Sequence, residues 1–242
     1  MFWGAIMQAA VLSDIGRVRR QNQDRFLINQ SQGLFVVCDG MGGHKAGEVA
    51  AQMAIDTISG CLDQLENEDP LIFLNQSILK ANREIFSLSR QSEEHSDMGT
   101  TVTAAVIRDM NLYTAHIGDS SLFIIRSSGV EKVTRDHTLA EKMLSEGLIN
   151  ENEINTNRYR HILTRALGVD ETVEIDLFVS RLQAEDRLFM ATDGVTDLIQ
   201  PQEMWEIIVR EPDPEKALEQ ILALALERGG HDNITMILIA LP

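Results

Sequence analysis

The sequence predicts an α+β protein in which antiparallel strands form sheets that are covered by helices. Short runs rich in β-branched and aromatic residues recur along the chain, and most are bounded by Gly, Asp or Asn. Some of these runs are separated by about four residues, which favours antiparallel neighbours because a parallel crossover needs a dozen or more residues. Between other runs, apolar residues repeat at helical spacing. Antiparallel strand groups with separate helices are typical of α+β packing.

Six strands are predicted from the composition of these runs. They cover residues 34–38, 101–107, 112–117, 122–126, 187–192 and 234–241. Residues 108–111 and 118–121 join the second, third and fourth of them. We therefore expect these three strands to be antiparallel neighbours.

Helices are predicted where apolar residues step by three and four positions. The clearest stripe consists of Leu71, Leu74, Ile78, Ala81 and Ile85. Further helices are expected between residues 49 and 58, between 139 and 148, and over 217–226. Segment 211–214, which contains two prolines, is interpreted as a break between two helices.

The composition limits the classes of function. The chain has 242 residues, which allows one large domain over 1–242. Lys and Arg number 21 and Asp and Glu number 37, so the formal charge is −16. This charge argues against a nucleic-acid binder and against docking on an anionic membrane. It does not exclude a phosphorylated substrate, because bound cations can reverse the charge of a pocket.

Compartment and assembly are predicted from simpler features. Cys38 and Cys61 do not form a disulfide framework, which favours a reducing compartment. The first residues lack the basic charge of a signal peptide, and no run of about 20 apolar residues predicts a membrane helix. We expect a soluble cytoplasmic protein, with a monomer as the default for one compact domain.

Four aspartates stand next to glycine or asparagine where an apolar strand begins or ends: Asp39, Asp119, Asp193 and Asp232. Each one alone is explained by turn chemistry, since Asp-Gly is a common turn pair. Four of them favour a second interpretation, because close carboxylates repel each other unless a cation holds them together. Mg and Mn prefer carboxylate, carbonyl and water ligands. The pattern predicts a carboxylate-bound metal centre.

Other phosphate chemistries are excluded by spacing. A cysteine-based phosphatase needs Arg six residues after its nucleophile, but His44 follows Cys38 and Asn67 follows Cys61 at that distance. The glycine spacing of a P-loop is present, but Glu48 stands where the loop needs lysine. The zinc motif His-Glu-x-x-His and the hydrolase motif Gly-x-Ser-x-Gly are absent from the sequence.

A short basic segment supplies the positive charge that a phosphate site needs. Arg17, Arg19 and Arg20 lie within four residues of each other. A solvated surface cluster would explain them without any function. The alternative is an arginine fork that holds a phosphate beside the metals.

Eight motifs follow one another along residues 12–241. They are Ser-Asp-Ile-Gly-x-x-Arg-x-x-Asn-x-Asp at 13–24, Asp-Gly-Met-Gly-Gly-His at 39–44 with Gly47-Glu48, Asp-Met-Gly-Thr-Thr at 97–101, Gly-Asp-Ser at 118–120, Asp-His-Thr at 136–138, Thr-Arg-Ala-Leu-Gly at 164–168, Asp-Gly at 193–194 and Gly-Gly-His-Asp-Asn at 229–233. In this order they resemble the metal-dependent type 2C protein serine/threonine phosphatases in their compact bacterial form.

The resemblance implies a centre of two Mg or Mn ions. Asp39 would bridge both ions, and the carbonyl of Gly40 would bind one of them. Asp193 and Asp232 would bind the other ion. Asp119, together with Asp193, matches the position of a third, weaker metal in bacterial members.

Three further residues match functional positions of the family. Arg19 matches the phosphate-binding arginine. Asp24 matches an acidic residue that acts near the metals through water. His44 matches a histidine that is proposed to influence protonation, although a lone histidine after glycines is often only a loop residue. The family commonly has Arg after Gly-Asp-Ser, whereas this chain has Ser121.

The resemblance also implies a fold and an activity. Two antiparallel sheets would pack face to face with helices outside both, and residues 137–164 would form a flap. The flap is either a solvated connector or a segment that selects substrates. The implied reaction is hydrolysis of phosphoserine and phosphothreonine in proteins, the products of Ser/Thr kinases, by a metal-activated water. A phosphoprotein-binding module and a metal phosphoesterase for small molecules remain as alternatives.

Overall fold

The computed structural model describes residues 7–42, 46–91, 95–154 and 156–242. Its strands are β1 (Gln8–Asp14), β2 (Arg25–Asn29), β3 (Leu34–Cys38), β4 (Gly40–Met41), β5 (Gly99–Thr100), β6 (Val102–Arg108), β7 (Asn111–Ile117), β8 (Ser121–Arg126), β9 (Gly129–Lys132), β10 (Asp176–Arg181), β11 (Arg187–Ala191) and β12 (Ile234–Ala240). Its helices are α1 (Ala46–Ser59), α2 (Leu62–Leu65), α3 (Pro70–Ser89), α4 (Leu139–Ser145), α5 (Glu151–Ile154), α6 (Asp193–Thr196), α7 (Pro201–Arg210) and α8 (Pro214–Glu227).

Two five-stranded antiparallel sheets form the centre of the fold. One has the strand order β1-β12-β11-β8-β9 and the other the order β10-β7-β6-β3-β2, while β4 and β5 form a separate pair. The six predicted strands correspond to β3, β6, β7, β8, β11 and β12. The predicted α+β class and the face-to-face sheets are confirmed.

The alternation of side chains along the inner strands explains the layers. On β3, Phe35 and Val37 point into the core between the sheets, where they meet residues such as Leu188 and Ile237. Leu34 and Val36 point to the other face and pack against α1 and α3. The apolar residues of α7 and α8 cover the outer face of the other sheet. Because an inner strand is buried on both faces, its sequence is a continuous apolar run.

One expectation about strand pairing is wrong. β6 and β7 are antiparallel neighbours, joined by a tight turn in which Asp109 and Met110 both have positive φ. β8, however, pairs with β11 and β9 in the facing sheet. The connection after β7 begins with Gly118 at φ +109°, which turns the chain away from its own sheet. A short connection therefore carries the chain across the sandwich.

Proline and aspartate define the starts of the long helices. Asp69 caps α3 by accepting hydrogen bonds from the backbone of Leu71 (2.9 Å) and Ile72, and Pro70 takes the first helical position. Asp213 and Pro214 start α8 in the same way, so segment 211–214 separates α7 from α8 as predicted. No helix in the described ranges is long and apolar enough to cross a membrane.

The predicted flap, residues 137–164, is closed at its base by backbone hydrogen bonds. The amide of Thr164 donates to the carbonyl of His137 at 2.7 Å, and the amide of Leu139 donates to the carbonyl of Ile162 at 2.8 Å. α4 and α5 lie between these two ends. Its role in substrate selection stays a prediction.

Candidate active site

A cavity of about 680 Å³ opens at one end of the sandwich. Six of the eight predicted site residues line it: Arg19, Asp39, Gly40, Asp119, Asp193 and Asp232. We call this space the acidic cavity. Asp24 is buried behind the lining, and its neighbour Gln23 reaches the cavity wall. His44 lies outside the described residues.

Asp39 follows β3 directly, and its backbone is held on both sides. Its amide donates to Thr101 Oγ1 at 2.9 Å, and its carbonyl accepts from the Thr101 amide and from Thr100 Oγ1, both at 2.9 Å. Thr101 Oγ1 also lies 2.9 Å from Ser120 Oγ, beside Asp119. The two threonines therefore fix the distance between two acidic loops that are far apart in sequence.

Gly40 is required by a close approach of two backbones. A Cβ atom at this position would lie 2.2 Å from the carbonyl oxygen of Gly47, in the first turn of α1. The absence of a side chain lets the chain after β3 pass against the start of that helix. This packing leaves the Gly40 backbone on the cavity wall next to Asp39.

Asp193 and Asp232 come from neighbouring strands of one sheet. Asp193 begins α6 just after β11, and Asp232 precedes β12, which pairs with β11. The side chain of Asn233 ties the basic segment to this place, because its amide donates to the carbonyls of Ile15 and Gln21, both at 3.0 Å. Segments about 210 residues apart in sequence meet here.

Arg19 is brought into the same cavity by that segment. Its Nη2 donates to Asp232 Oδ2 at 2.5 Å, and about half of its side chain is exposed. This hydrogen bond to Asp232 raises the pKa of Arg19, and charge attraction to Asp232, Asp39 and Asp193 adds to the rise, although burial acts against it. A permanent positive charge therefore stands at the mouth of an acidic pocket.

Asp24 is 2% exposed and faces the cavity from behind. Its Oδ2 accepts from Thr192 Oγ1 at 2.9 Å, which connects it to the residue before Asp193. Its Oδ1 is buried and has no hydrogen-bond partner among the described residues. Burial raises the pKa of Asp24 to about 7, although hydrogen bonds from Thr235 and Thr192 act against this rise.

The buried carboxyl groups of the cavity repel one another, and their pKa values are raised. Burial, followed by repulsion from Asp24, Asp193 and Asp119, raises the pKa of Asp39 well above its ordinary value. Burial and the charges of Asp119 and Asp232 do the same to the pKa of Asp193. Burial and the charge of Asp136 raise the pKa of Asp119 to about 7. Such groups favour either a proton or a cation at their centre.

The donor atoms present fit divalent metal ions. Asp39 and Asp193 both line the cavity, where, besides burial, the charge of Asp193 raises the pKa of Asp39, and Asp193 Oδ1 is buried without a partner among the described residues. Carboxylate and carbonyl oxygens are the ligands that Mg and Mn prefer. Asp39, Gly40, Asp119, Asp193 and Asp232 could therefore hold such ions.

Sequence reasoning missed three residues at the rim of the cavity. Arg160 and His161, from the end of the flap, line the cavity together with Asp197. His161 Nδ1 lies 3.2 Å from Asp197 Oδ2, and one ligand atom each of His161, Asp193 and Asp197 lies within 4.8 Å of the others. Asp193 and Asp197 are four residues apart on a helical turn, and this spacing could have indicated that Asp197 lies beside Asp193. No local sequence pattern indicated that the flap approaches the cavity.

Ser121, which replaces the arginine common in the family, begins β8 and is fully buried. Its Oγ has no hydrogen-bond partner within the described part of the chain. It pairs in register with Ala191 on β11, so the substitution lies inside the sheet, two positions beyond Asp119.

Comparisons with known proteins agree with this geometry. The family model described as "Protein phosphatase 2C" matches residues 12–234. The chain is 33% identical over 240 residues to the serine/threonine phosphatase stp of Listeria monocytogenes serotype 4b (strain F2365), covering 96% of this chain and 95% of that protein. The match therefore extends over nearly the whole length of both proteins.

Solved structures show the same fold. The serine/threonine phosphatase Stp1 from Staphylococcus aureus superposes with a TM-score of 0.91 at 33% identity, over 100% of this chain and 98% of that one. The catalytic domain of the serine/threonine protein phosphatase PstP, in complex with two manganese ions, gives a TM-score of 0.87 at 30% identity, over 97% of both chains. The chain therefore belongs to the protein phosphatase 2C family, a family of phosphoprotein phosphatases in which metal-dependent catalysis is typical.

Proposed function

We propose that this enzyme hydrolyses phosphoserine and phosphothreonine monoesters in proteins, with a pair of Mg or Mn ions bound in the acidic cavity. The observation that carries the proposal is the convergence of Asp39, Asp119, Asp193 and Asp232 with Arg19 around one cavity. Carboxylates that repel one another favour the binding of cations, and the arginine favours the binding of an anionic group. A phosphate monoester held by cations satisfies both.

The ligand roles are assigned residue by residue. Asp39 would bind both ions, the Gly40 carbonyl would bind one of them, and Asp193 and Asp232 would bind the other. The position of Asp39 and Asp193 on one cavity wall supports a shared site for these two side chains. When bound, the two ions supply Lewis-acid chemistry, because they lower the pKa of a water and offset the charge of the phosphate.

A third, weaker cation site is proposed at Asp119 and Asp193. The two side chains line the same cavity. Besides burial, the charge of Asp119 raises the pKa of Asp193, and the charges of both raise the pKa of Asp39. Asp136 and Asp197 add further negative charge near Asp119. This concentration of carboxylates favours a cation beyond the first two.

The remaining site residues act on the substrate and on water. Arg19 offers two N–H groups in a planar fork, which matches the oxygens of a phosphate. Asp24 accepts a hydrogen bond from a water through Oδ1, the oxygen that lacks a protein partner among the described residues. His44 is proposed to influence protonation of the leaving group, and it lies outside the described residues.

Metal removal combined with a substrate comparison tests the proposal. With Mn, the purified protein is expected to hydrolyse an aryl phosphate and a phosphothreonine peptide, and to lose this activity in a chelator. Reloading with Mn should restore it. Undiminished turnover by the metal-stripped protein would rule the proposal out.

The same assay separates the two alternatives. A small-molecule phosphoesterase would prefer nucleotides or sugar phosphates over the phosphopeptide at equal concentration. A binding module would retain the phosphopeptide without turnover, and calorimetry with Mn would show no uptake of two ions. Asp63, an exposed carboxylate on α2, provides a control variant, Asp63→Asn, that should behave as the wild type in each assay.

Several properties around the reaction are part of the proposal. The substrates are phosphoproteins made by a Ser/Thr protein kinase, and residues 1–242 act as one catalytic domain that works as a monomer. The free, buried cysteines Cys38 and Cys61 agree with a cytoplasmic location. Phosphoproteomics of a deletion strain against its parent would identify the substrates.

A further inference from the structure

A polar cluster of two buried histidines and two half-buried charged residues lies at the base of the flap, next to the acidic cavity. It consists of His116 and His137, whose ring centres are 4.9 Å apart, together with Arg165 and Asp176. We call it the histidine cluster. These four residues do not line the acidic cavity in the described structure, so they lie outside the proposed metal and phosphate site. His137 and Arg165 belong to two family motifs for which the reaction provides no role.

His137 holds both polar backbone groups of a single residue, Gly118. Its Nδ1 accepts from the Gly118 amide at 3.1 Å, and its own amide donates to the Gly118 carbonyl at 2.7 Å. A neutral imidazole has one N–H, so acceptance at Nδ1 places the proton on Nε2. Nε2 lies 3.2 Å from Asp176 Oδ2, which is the acceptor for that proton. Arg165 Nη1 is also 3.3 Å from Nε2, but its shorter hydrogen bond, at 2.7 Å, goes to Asp176 Oδ1.

The charges around His137 support this arrangement. Burial lowers the pKa of His137, which keeps the imidazole neutral, although Asp176 acts in the opposite direction. Burial alone would raise the pKa of Asp176, but hydrogen bonds from His137 and Arg165 outweigh it and hold the value below the ordinary one. Arg165 Nη1 donates to Asp176 Oδ1 at 2.7 Å. Asp176 is therefore an ionised acceptor.

Gly118 is the point where the chain leaves one sheet for the other. Its φ of +109° is costly for other residues, and a Cβ atom there would lie 2.5 Å from the Thr101 side chain. The next residue is Asp119. The backbone position of Asp119 depends on this turn. His137 forms hydrogen bonds with the turn on one side, and the side chain of Thr101 packs against it on the other.

We propose that His137 is a positioning residue that fixes the Gly118 turn and thereby places the Asp119 carboxylate for the third, weaker cation. This inference rests on the cation role proposed for Asp119. Asp176 and Arg165 take part by orienting the imidazole, in the way that hydrogen-bond partners behind a ligand commonly do. Since the carbonyl of His137 also accepts from Thr164, the same residue joins the two ends of the flap.

Two variants of His137 distinguish the roles of its two ring nitrogens. His137→Asn places an amide oxygen near the position of Nδ1, so it can still accept from Gly118. His137→Gln reaches the position of Nε2 and keeps the contact with Asp176, but leaves the Gly118 amide without its acceptor. We expect His137→Gln to weaken the third, weak Mn site by roughly 10-fold or more, the usual effect of losing such a partner, and His137→Asn to stay near the wild type.

The measurement is Mn titration by calorimetry, with kcat and the Mn concentration for half-maximal activity as a second readout. His137→Gln should raise that concentration while kcat at saturating Mn returns toward the wild-type value. Thermal unfolding of the metal-free variants reports whether they fold. A merely structural role would lower the melting temperature of both variants and leave their Mn affinities alike, which would overturn the proposal.

Asp119→Asn is the reference variant, and it distinguishes two failures. If Asp119→Asn loses the weak site but folded His137→Gln retains it unchanged, the positioning role is wrong and the proposed third site stands. If Asp119→Asn retains the weak site, the third site itself is wrong and the positioning role is wrong with it. Neither result would contradict the proposed pair of strongly bound Mn ions or the proposed hydrolysis, which the chelator assay tests separately.

A measurement on the wild type covers the case in which His137→Gln does not fold. In ¹⁵N-histidine spectra of the metal-free protein, His137 is expected as the Nε2–H tautomer with an unprotonated Nδ1 at neutral pH, assigned by its absence from folded His137→Asn. The opposite tautomer would remove the hydrogen bond to Gly118 and overturn the proposal.

Discussion

The acidic cavity and the histidine cluster lie on the two sides of the Gly118–Asp119 turn, and they differ in how their polar atoms are satisfied. In the cavity, Oδ1 of Asp24 and of Asp193 are buried without partners among the described residues. In the cluster, both ring nitrogens of His116 and of His137 have a polar partner. The cavity therefore has buried oxygens that are available to a ligand, whereas the ring nitrogens of the cluster already have partners within the protein.

The two regions should respond oppositely to mutation. A carboxylate removed from the cavity relieves repulsion and costs activity. A partner removed from the cluster leaves a buried group unsatisfied and costs stability. Four measurements test this contrast.

The largest effect is expected for Asp193→Asn. Loss of a ligand that serves the metal pair should reduce turnover by roughly 1,000-fold, equivalent to about 4 kcal/mol of transition-state stabilisation. The melting temperature of the metal-free protein should rise at the same time, because one of the mutually repelling carboxylates is gone. Assays with an aryl phosphate and thermal unfolding in a chelator check both parts. A fall in the metal-free melting temperature would contradict the contrast.

The next effect concerns metal binding to the unaltered protein. A cation present at about 100 times its dissociation constant stabilises the folded state by about 2.7 kcal/mol. For a chain of this size, that corresponds to a rise in melting temperature of roughly 5–10 °C. Thermal unfolding with and without Mn measures it, and Asp193→Asn should show a much smaller rise. An equal rise in both proteins would place the stabilising cation elsewhere.

A matched pair of threonines tests the opposite region. Thr103 and Thr114 are both fully buried in one sheet, but Thr103 Oγ1 lies 2.9 Å from His116 Nδ1 whereas Thr114 Oγ1 lacks a partner among the described residues. Thr103→Val should lower the free energy of unfolding by about 1–2 kcal/mol. Thr114→Val should be neutral or stabilising. Denaturant unfolding measures the difference, and equal losses would show that the hydrogen bond is irrelevant.

The smallest effect is a drift of stability with pH in the absence of metal. The pKa of Asp24 and that of Asp119 are about 7, against 3.8 for an ordinary aspartate. Between about pH 4 and 7, the folded state then binds more protons than the unfolded chain, so these two groups make the protein more stable as the pH falls through this window. Bound Mn should weaken the trend, because the cation competes with protons for the Asp119 carboxylate and its positive charge disfavours a proton on the nearby Asp24.

Melting temperatures in a chelator between pH 7.5 and 5.5 measure this drift. Asp24→Asn removes one of the two titrating groups and should flatten the profile. Profiles of identical slope for the wild type and Asp24→Asn would show that Asp24 is not a perturbed group.

The strands illustrate what sequence reasoning can and cannot find. The six predicted strands include the inner strands of both sheets, which are buried on both faces and have continuous apolar sequences. Six strands were missed: the short pair β4 and β5, and the four edge strands of the two large sheets, β1, β2, β9 and β10. β10, for example, alternates half-buried and exposed residues. A strand with one neighbour and one solvated face has no continuous apolar run to signal it.

The site shows the same division. Each aspartate proposed as a metal ligand was recognisable because an aspartate next to glycine or asparagine at a strand end is a local pattern, and because the motifs resemble one family. The sequence did not indicate that Arg160, His161 and Asp197 also line this cavity. The flap and α6 are brought together only by the tertiary structure. The contact between His137 and Gly118 joins residues that are 19 positions apart in the sequence, so no local pattern indicates it.

By itself, the sequence determined the inner strands, the main helices, the family and the acidic residues of the site, because burial on both faces, helical periodicity and turn chemistry act between near neighbours in the chain. The tertiary structure alone decided that β8 joins the sheet facing β7, which edge strands complete the sheets, and which side chains support the Asp119 turn. These features depend on contacts between distant segments, and those contacts form only when the two sheets pack against each other.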